Sequence, residues 1–342
     1  MWTDRKELIA KIEQKRGSRL IAYLTSDRQN ATAIIAKDAL PVFFNQLRGL
    51  GPLTKLDVLV FTTGGDTLAA FGLGRLVREF APNWVGALIP DRCFSAGTLF
   101  AVGANQIYMS RAGTLSPIDP SVTTPLNPVP EGKNALMGQQ QLVPVSVESV
   151  AGFKNLIEDE WGIKNEEMLT SAFKILAEKV HPLALGDVYR SRQQIKRLAR
   201  KLMAGHRTDK AKIDKIINEL TGELGSHDYP ISRTEAHKLM GNQIAKEDTE
   251  VEEWLVKLFN DYSKEMELHV PFNPAAALAK EKAAGKTPPV RVRLIPGMIE
   301  TTLSRDVFEQ EMLLSEILAP GPAGPIKALQ QEMVEAGWKH YD

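Results

Sequence analysis

One cysteine, Cys93, occurs in the 342 residues. A single thiol excludes an intrachain disulfide and any metal site built on several cysteines, and it suits a reducing compartment. Neither sign of charge is in excess, since 42 basic and 42 acidic side chains leave a formal net charge of zero. A neutral chain lacks the positive field that displaces counterions from a phosphate backbone, so no nucleic-acid partner is expected. Long hydrophobic runs are missing too. The longest uncharged apolar stretch, 93–109, carries Ser, Thr, Asn and Gln and reads as a buried element rather than a membrane span. The first residues, MWTDRKELIAKIEQKRG, have no apolar centre of the kind a secretory signal needs. Together these absences predict a soluble, cytoplasmic protein with no membrane partner. GLGRL at 72–76 falls in a helical pattern and lacks the third glycine and downstream acid of a nucleotide fingerprint. His206, His237, His269 and His340 have no ligand partners at metal spacing, so neither a metal nor an organic cofactor is expected.

What is present is a regular alternation. Helical spacing at 3–16 is followed by a strand-like RLIAYLTS (19–26) and a helical stretch at 39–50. LDVLVFTT (56–63) is a continuous apolar run closed by Gly64 and Gly65, the pattern of a strand buried on both faces of a parallel sheet. A helix at 68–80, a strand at 84–90, a helix at 96–104 and a strand at 106–110 complete the series. Such alternation predicts βαβ units and an α/β fold. The Pro/Gly/Gln-rich stretch 123–144 reads as an exposed loop, placed where a lid would lie. Further helices are expected at 147–161, 165–178, 183–203, 210–220, 233–240 and 247–267. The basic run SRQQIKRLARK (191–201) reads as a solvated helix face. Residues 275–289 read as a linker and VRVRLIPGMIETTLSR (290–305) as an extended hairpin or arm. The expected division is therefore a 1–240 domain and a mostly helical, partly extended 241–342 appendage suited to oligomerisation.

The chemistry concentrates in DRCFSAGTLFAVGANQIYM (91–109). Ser95 stands between a strand and a helix of small residues. It either caps that helix or is a nucleophile presented at the turn. TTGGDT (62–67) places two glycines after a buried strand, where bare N–H groups can line an oxyanion hole; the bland alternative is a plain turn. The Ala96 N–H, at the start of the helix, would be a second donor. Cys93 reads as an apolar strand-end residue, and His181 as a cap or surface group.

GG at 64–65, SAG at 95–97 and PIDP at 117–120, with SAGTLFAVGANQIYM and GTLSPIDPSV (113–122), resemble the Clp protease / crotonase superfamily. They are similar to the Clp proteolytic subunit and to signal peptide peptidase A, and more closely to the serine dehydrogenase proteinase family. HDYPISRTEAHKLMG (227–241) is similar to the segment that closes the Clp-type domain, so the resemblance covers residues 18–240. It implies a ββα spiral core and a serine peptidase with Ser95 as nucleophile and Gly64, Gly65 and Ala96 at the oxyanion-hole positions. It also implies a homo-oligomer acting on a peptide or protein substrate, with an accessory protein as a possible partner.

The base departs from the Clp pattern. Where a Clp histidine follows the serine this chain reads SPIDP, and where the Clp aspartate lies it has His227-Asp228. The two roles are therefore exchanged in this reading, with His227 taking the Ser95 proton and Asp119 orienting the imidazole, an arrangement that triad geometry allows. The competing arrangement is a serine–lysine dyad using Lys154 or Lys133. Two further readings keep the fold: a crotonase-type enolate pocket, and a non-catalytic scaffold or binding protein.

Overall fold

The computed structural model describes residues 2–118, 121–122, 124–128, 143, 145–207, 209–223, 226, 228–319 and 325–342. They fall into two compact units, Met1–Leu115 with Ile231–Asp342, and Ser116–Pro230.

In the first unit α1 (Trp2–Arg16) turns Arg5, Ile9 and Ile12 inward, the spacing of a single helical face. β1 (Arg19–Thr25) follows, with a short β2 (Asp27–Arg28) and β3 (Ala31–Thr32) hairpin after it. Next come α2 (Ala39–Leu50), β4 (Leu56–Phe61), α3 (Thr67–Phe80) and β5 (Val85–Ile89). β6 (Arg92–Cys93), α4 (Ala96–Ala101), β7 (Gln106–Met109) and β8 (Thr114–Leu115) complete this half. All six residues of β4 are buried, as its unbroken apolar run requires. Asp57 in that strand is also buried, and its carboxylate accepts from Arg16 at 2.6 and 3.0 Å and from Ser18 Oγ at 2.6 Å. Gly86 on the neighbouring strand leaves the room, because a Cβ there would stand 2.0 Å from Asp57 Oδ1.

The second unit holds β9 (Ser121–Val122) paired with β10 (Val145–Ser146), then α5 (Val147–Asn155), α6 (Glu166–Lys179), α7 (Pro182–Met203) and α8 (Lys210–Asn218). The chain then re-enters the first unit through β11 (Ile231–Ser232) and α9 (Arg233–Met240). α10 (Thr249–Glu265), α11 (Pro274–Ala283), β12 (Val290–Glu300), β13 (Arg305–Ala319) and β14 (Ile326–Tyr341) end it.

The main sheet has the order β14-β13-β12-β1-β4-β5-β7. β1, β4, β5 and β7 are parallel and are linked by α2, α3 and α4, since parallel neighbours need a crossover. β12 joins β1 antiparallel, and β13 and β14 continue antiparallel from it. A second small sheet, β11-β8-β6, lies at the ends of these strands. The architecture is thus mixed α/β, with Ile9 and Ile12 of α1 packed in one core with Leu255, Leu258 and Tyr262 of α10 and Met298 and Val307 of the sheet.

Two expectations about the C-terminal third change, the mostly helical extension and the linker. Residues 241–342 are not mostly helical: the stretch 290–305, read as extended, contains β12, whose VRVRL alternates at a strand's period and which joins the open edge of β1, and two further long strands, β13 and β14, follow. The compact units divide at 115/116 and 230/231. The stretch read as a linker contains α11, started by Asn273, whose side chain accepts from the N–H groups of Ala275 and Ala276. Leu278 anchors that helix against Val290 and Leu314. Most of the expected 123–144 loop lies outside the described residues.

Candidate active site

Parallel strands deliver their C-terminal ends to one side of a sheet, and the segments that leave β4 and β5 meet there. Thr62 runs beside Arg92–Phe94: its N–H donates to Arg92 O at 3.1 Å, and its carbonyl accepts from Phe94 N at 3.0 Å. Ser95 follows directly, half-buried, at φ 51 and ψ −110, a backbone region that non-glycine residues rarely enter. It occupies the N-cap position of α4, yet its side chain makes no capping hydrogen bond. Caps elsewhere in the chain behave ordinarily: Asp66 accepts from Leu68 and Ala69 N–H, and Ser232 from Glu235 N–H. The capping reading of Ser95 therefore does not hold.

Both glycines of TTGGDT are required by close approach. A Cβ on Gly64 would lie 2.8 Å from Ser95 Cβ and 3.3 Å from Ser95 Oγ, and Gly64 has φ +121. A Cβ on Gly65, at φ +142, would lie 2.3 Å from Ile35 O. Ile35 N–H donates to Gly64 O at 2.8 Å and Ile35 O accepts from Asp66 N at 2.8 Å. In such a parallel bridge the N–H of the intervening Gly65 points away from Ile35. Among the described residues neither the Gly65 N–H nor the Ala96 N–H has an acceptor, and Gly65 is exposed. The Gly64 N–H differs, because it donates to Thr62 Oγ1 at 3.0 Å. Gly64 thus contributes clearance for the serine rather than a vacant donor.

Sequence reasoning missed the support behind this turn. Thr25 Oγ1 donates to Thr62 Oγ1 at 2.7 Å, and Thr62 Oγ1 donates to Gly64 O at 3.2 Å while accepting its N–H. Both threonines are buried at strand ends. Only the paired β-branched hydroxyls before Gly-Gly hinted at them, and threonine is common in strands for other reasons. On the other flank Gly97 lets α4 close down, since a Cβ there would meet Thr62 Cγ2 at 2.5 Å and Cys93 Sγ at 2.9 Å. Thr98 Oγ1 donates to Cys93 O at 2.8 Å. Complete burial pushes the Cys93 thiol far above its ordinary range, so it packs as an apolar group, as expected. Burial also raises the Asp91 carboxyl, with Arg92 and then His269 opposing the shift.

Of the remaining expected site residues, Asp119, His227 and Lys133 lie outside the described residues. Lys154 is on α5, 69% exposed, with its ammonium 3.3 Å from Glu158. That environment differs from the desolvated one that makes a lysine amine a general base. His181 caps α7, its Nδ1 accepting from Leu183 N–H at 3.2 Å. Among the described residues no helix is long and apolar enough to cross a membrane.

No family model matches the chain. Two uncharacterized proteins of Methanocaldococcus jannaschii are similar to it. One is 26% identical over 129 residues, 34% of this chain and 42% of the relative. The other is 29% identical over 136 residues, 36% of this chain and 46% of the relative. The chain therefore spans less than half the length of either relative it matches. Among solved structures, a mutant of the 1510-N membrane-bound stomatin-specific protease aligns with 68% of this chain and 83% of its own. The TM-score is 0.36 and the identity 14%.

Proposed function

We propose that this chain is a soluble, homo-oligomeric serine peptidase of Clp-like type that cleaves peptide bonds through an acyl-enzyme on Ser95. The observation that carries the reading is the serine itself: it is held at positive φ, does not cap its own helix, and stands beside Gly64. Backbone strain of this kind, about 1–3 kcal/mol, persists where the surroundings impose it and collects at functional sites. Two N–H groups without acceptors among the described residues, on Gly65 and Ala96, support the second requirement of acyl transfer.

In this reading Ser95 Oγ attacks the scissile carbonyl carbon while a base takes the hydroxyl proton. The carbonyl oxygen becomes an oxyanion that accepts from the Gly65 and Ala96 N–H groups, and such donors act mainly on the transition state. Collapse expels the amine, which takes the proton from the base, and water then hydrolyses the ester by the same route. The proposed base is His227, oriented by Asp119; a Ser95–lysine dyad through Lys154 or Lys133 is the alternative.

The test is labelling by a fluorophosphonate probe, read by mass spectrometry. Labelling at Ser95 that is lost in Ser95→Ala supports the reading, and an unlabelled, folded wild type rejects it. His227→Ala should slow labelling by a factor of about a thousand or more. An unchanged rate would remove His227 as base, and Lys154→Met and Lys133→Met would then test the dyad.

A further inference from the structure

A cavity in the second unit carries a feature that the proposed peptidase chemistry does not use. It measures about 670 Å³, within the usual size of small-molecule sites, and lies among α5, α6, α7 and the turn after α8. Val150, Ile157, Leu169, Leu176 and Val188 line it. α6 contributes one wall and has no fully buried residue, so its apolar face, with Leu169, Ala172 and Leu176, is only partly covered in the described chain. Phe173 and Tyr189 at the rim are 56% and 66% exposed.

Three charged side chains reach this apolar space: Lys154, Glu158 and Arg192. Lys154 and Glu158 pair with each other at 3.3 Å, which leaves the Arg192 guanidinium uncompensated among the described residues. Its Nε is buried with no hydrogen-bond partner, while Nη2 donates to Thr221 O at 3.3 Å. Among the described residues no carboxylate pairs with it. Gly222 makes room for the group, since a Cβ there would come within 2.3 Å of Nη2. Arg192 as a whole is partly exposed, but a buried N–H without a partner is costly, and an apolar cavity beside it is costly to leave wet. One ligand class relieves both.

We infer that this cavity binds a long-chain aliphatic carboxylate, with the alkyl chain between α5, α6 and α7 and the carboxylate accepting from Arg192. A peptide fits less well. Every residue of an extended peptide brings an N–H and a C=O that need partners, and this lining is mostly aliphatic and aromatic carbon, with its polar groups confined to Lys154, Asn155, Glu158, Tyr189 and Arg192. A carboxylate amphiphile asks for a single charged contact at one end.

The experiment is calorimetric titration of the full chain with dodecanoate below its micellar concentration, with dodecanol as the uncharged comparison. Saturable binding of one dodecanoate per chain is expected, at least about tenfold weaker for dodecanol and for Arg192→Met, as befits a charge-assisted hydrogen bond. Ala172→Trp, at a partly exposed position of α6 lining the cavity, should abolish binding while the far-UV spectrum and melting temperature stay unchanged. This variant keeps the test decisive if Arg192→Met does not fold. Absent binding, or equal affinity across wild type and both variants, overturns the inference. So does tighter competition by an acetylated apolar peptide amide, or loss of self-association on sedimentation of Ala172→Trp, which would assign the groove to a second copy.

Discussion

Two glycines determine where the Ser95 hydroxyl can stand, and each can be tested alone. Gly65→Ala would force a Cβ to within 2.3 Å of the Ile35 carbonyl at φ +142. The expected outcome is a lower melting temperature together with loss of fluorophosphonate labelling. Gly64→Ala would press on Ser95 Cβ at 2.8 Å and should remove labelling by displacing the nucleophile, with circular dichroism still reporting a folded chain. Thr62→Val keeps the shape but leaves the Gly64 N–H and the Thr25 hydroxyl without their partner, a loss of about 1–3 kcal/mol. If Thr62 positions the turn, the labelling rate falls as well; a purely structural threonine would lower stability and leave the rate alone.

Elements are tied together by charges that local pattern did not reveal. Arg5 on α1 is fully buried, and its guanidinium donates to both Glu300 oxygens at 2.9 Å and to Asp261 at 2.7 Å, with Glu265 at 2.6 Å. Tyr262 OH donates to Glu300 Oε1 at 2.9 Å. Helices α1 and α10 are thereby fastened to β12. Arg5→Met strands the Glu300 carboxylate in the core and should cost about 3–5 kcal/mol in urea unfolding. Adding Glu300→Gln should recover much of that loss, because the stranded charge is its source. Burial already raises the Glu300 carboxyl, against the pull of Arg5, which is the sign such a loss requires.

β13 and β14 are joined by a titratable pair. The hydrogen bond from His340 to Asp306, 3.0 Å, raises the imidazole above its ordinary value, with Asp342 adding to the effect. A raised folded-state value stabilises the protein fully below the unfolded imidazole range near about 6.5, and that contribution disappears as pH rises through the folded value. Wild type should therefore melt above His340→Asn at pH 5.5 by a margin that shrinks at pH 8.5. A margin independent of pH would remove the ion pair as its cause.

At the scale of the whole molecule, the C-terminal strands complete the main sheet rather than hang from it. β12 covers β1, and Met298 and Val307 share the core with α1 and α10. A chain truncated after residue 284 would expose the β1 edge and strand Arg5 without Glu300. It should be insoluble or molten by circular dichroism, whereas a detachable appendage would leave a folded remainder. The unit Ser116–Pro230 interrupts the first unit between β8 and β11, whose residues nonetheless pair, Leu115 with Ile231 and Thr114 with Ser232.

The amino-acid pattern alone determined most elements of the first 110 residues, because a continuous apolar run such as LDVLVF and a 3.6-residue stripe such as Ile9 and Ile12 are local signals. It also singled out Ser95 and the two glycines, since small residues around a turn announce close approach. Pattern could not reveal what depends on pairing across the chain. The union of β12 with β1 joins residues nearly 280 positions apart, Ala22 and Glu300 among them, and the Thr25–Thr62–Gly64 chain exists only once two strands lie side by side. The same holds for Arg5, whose buried guanidinium finds its buried partner, Glu300, only far along the chain. Local periodicity is written into consecutive residues, whereas partnership between distant ones is decided when the sheet closes.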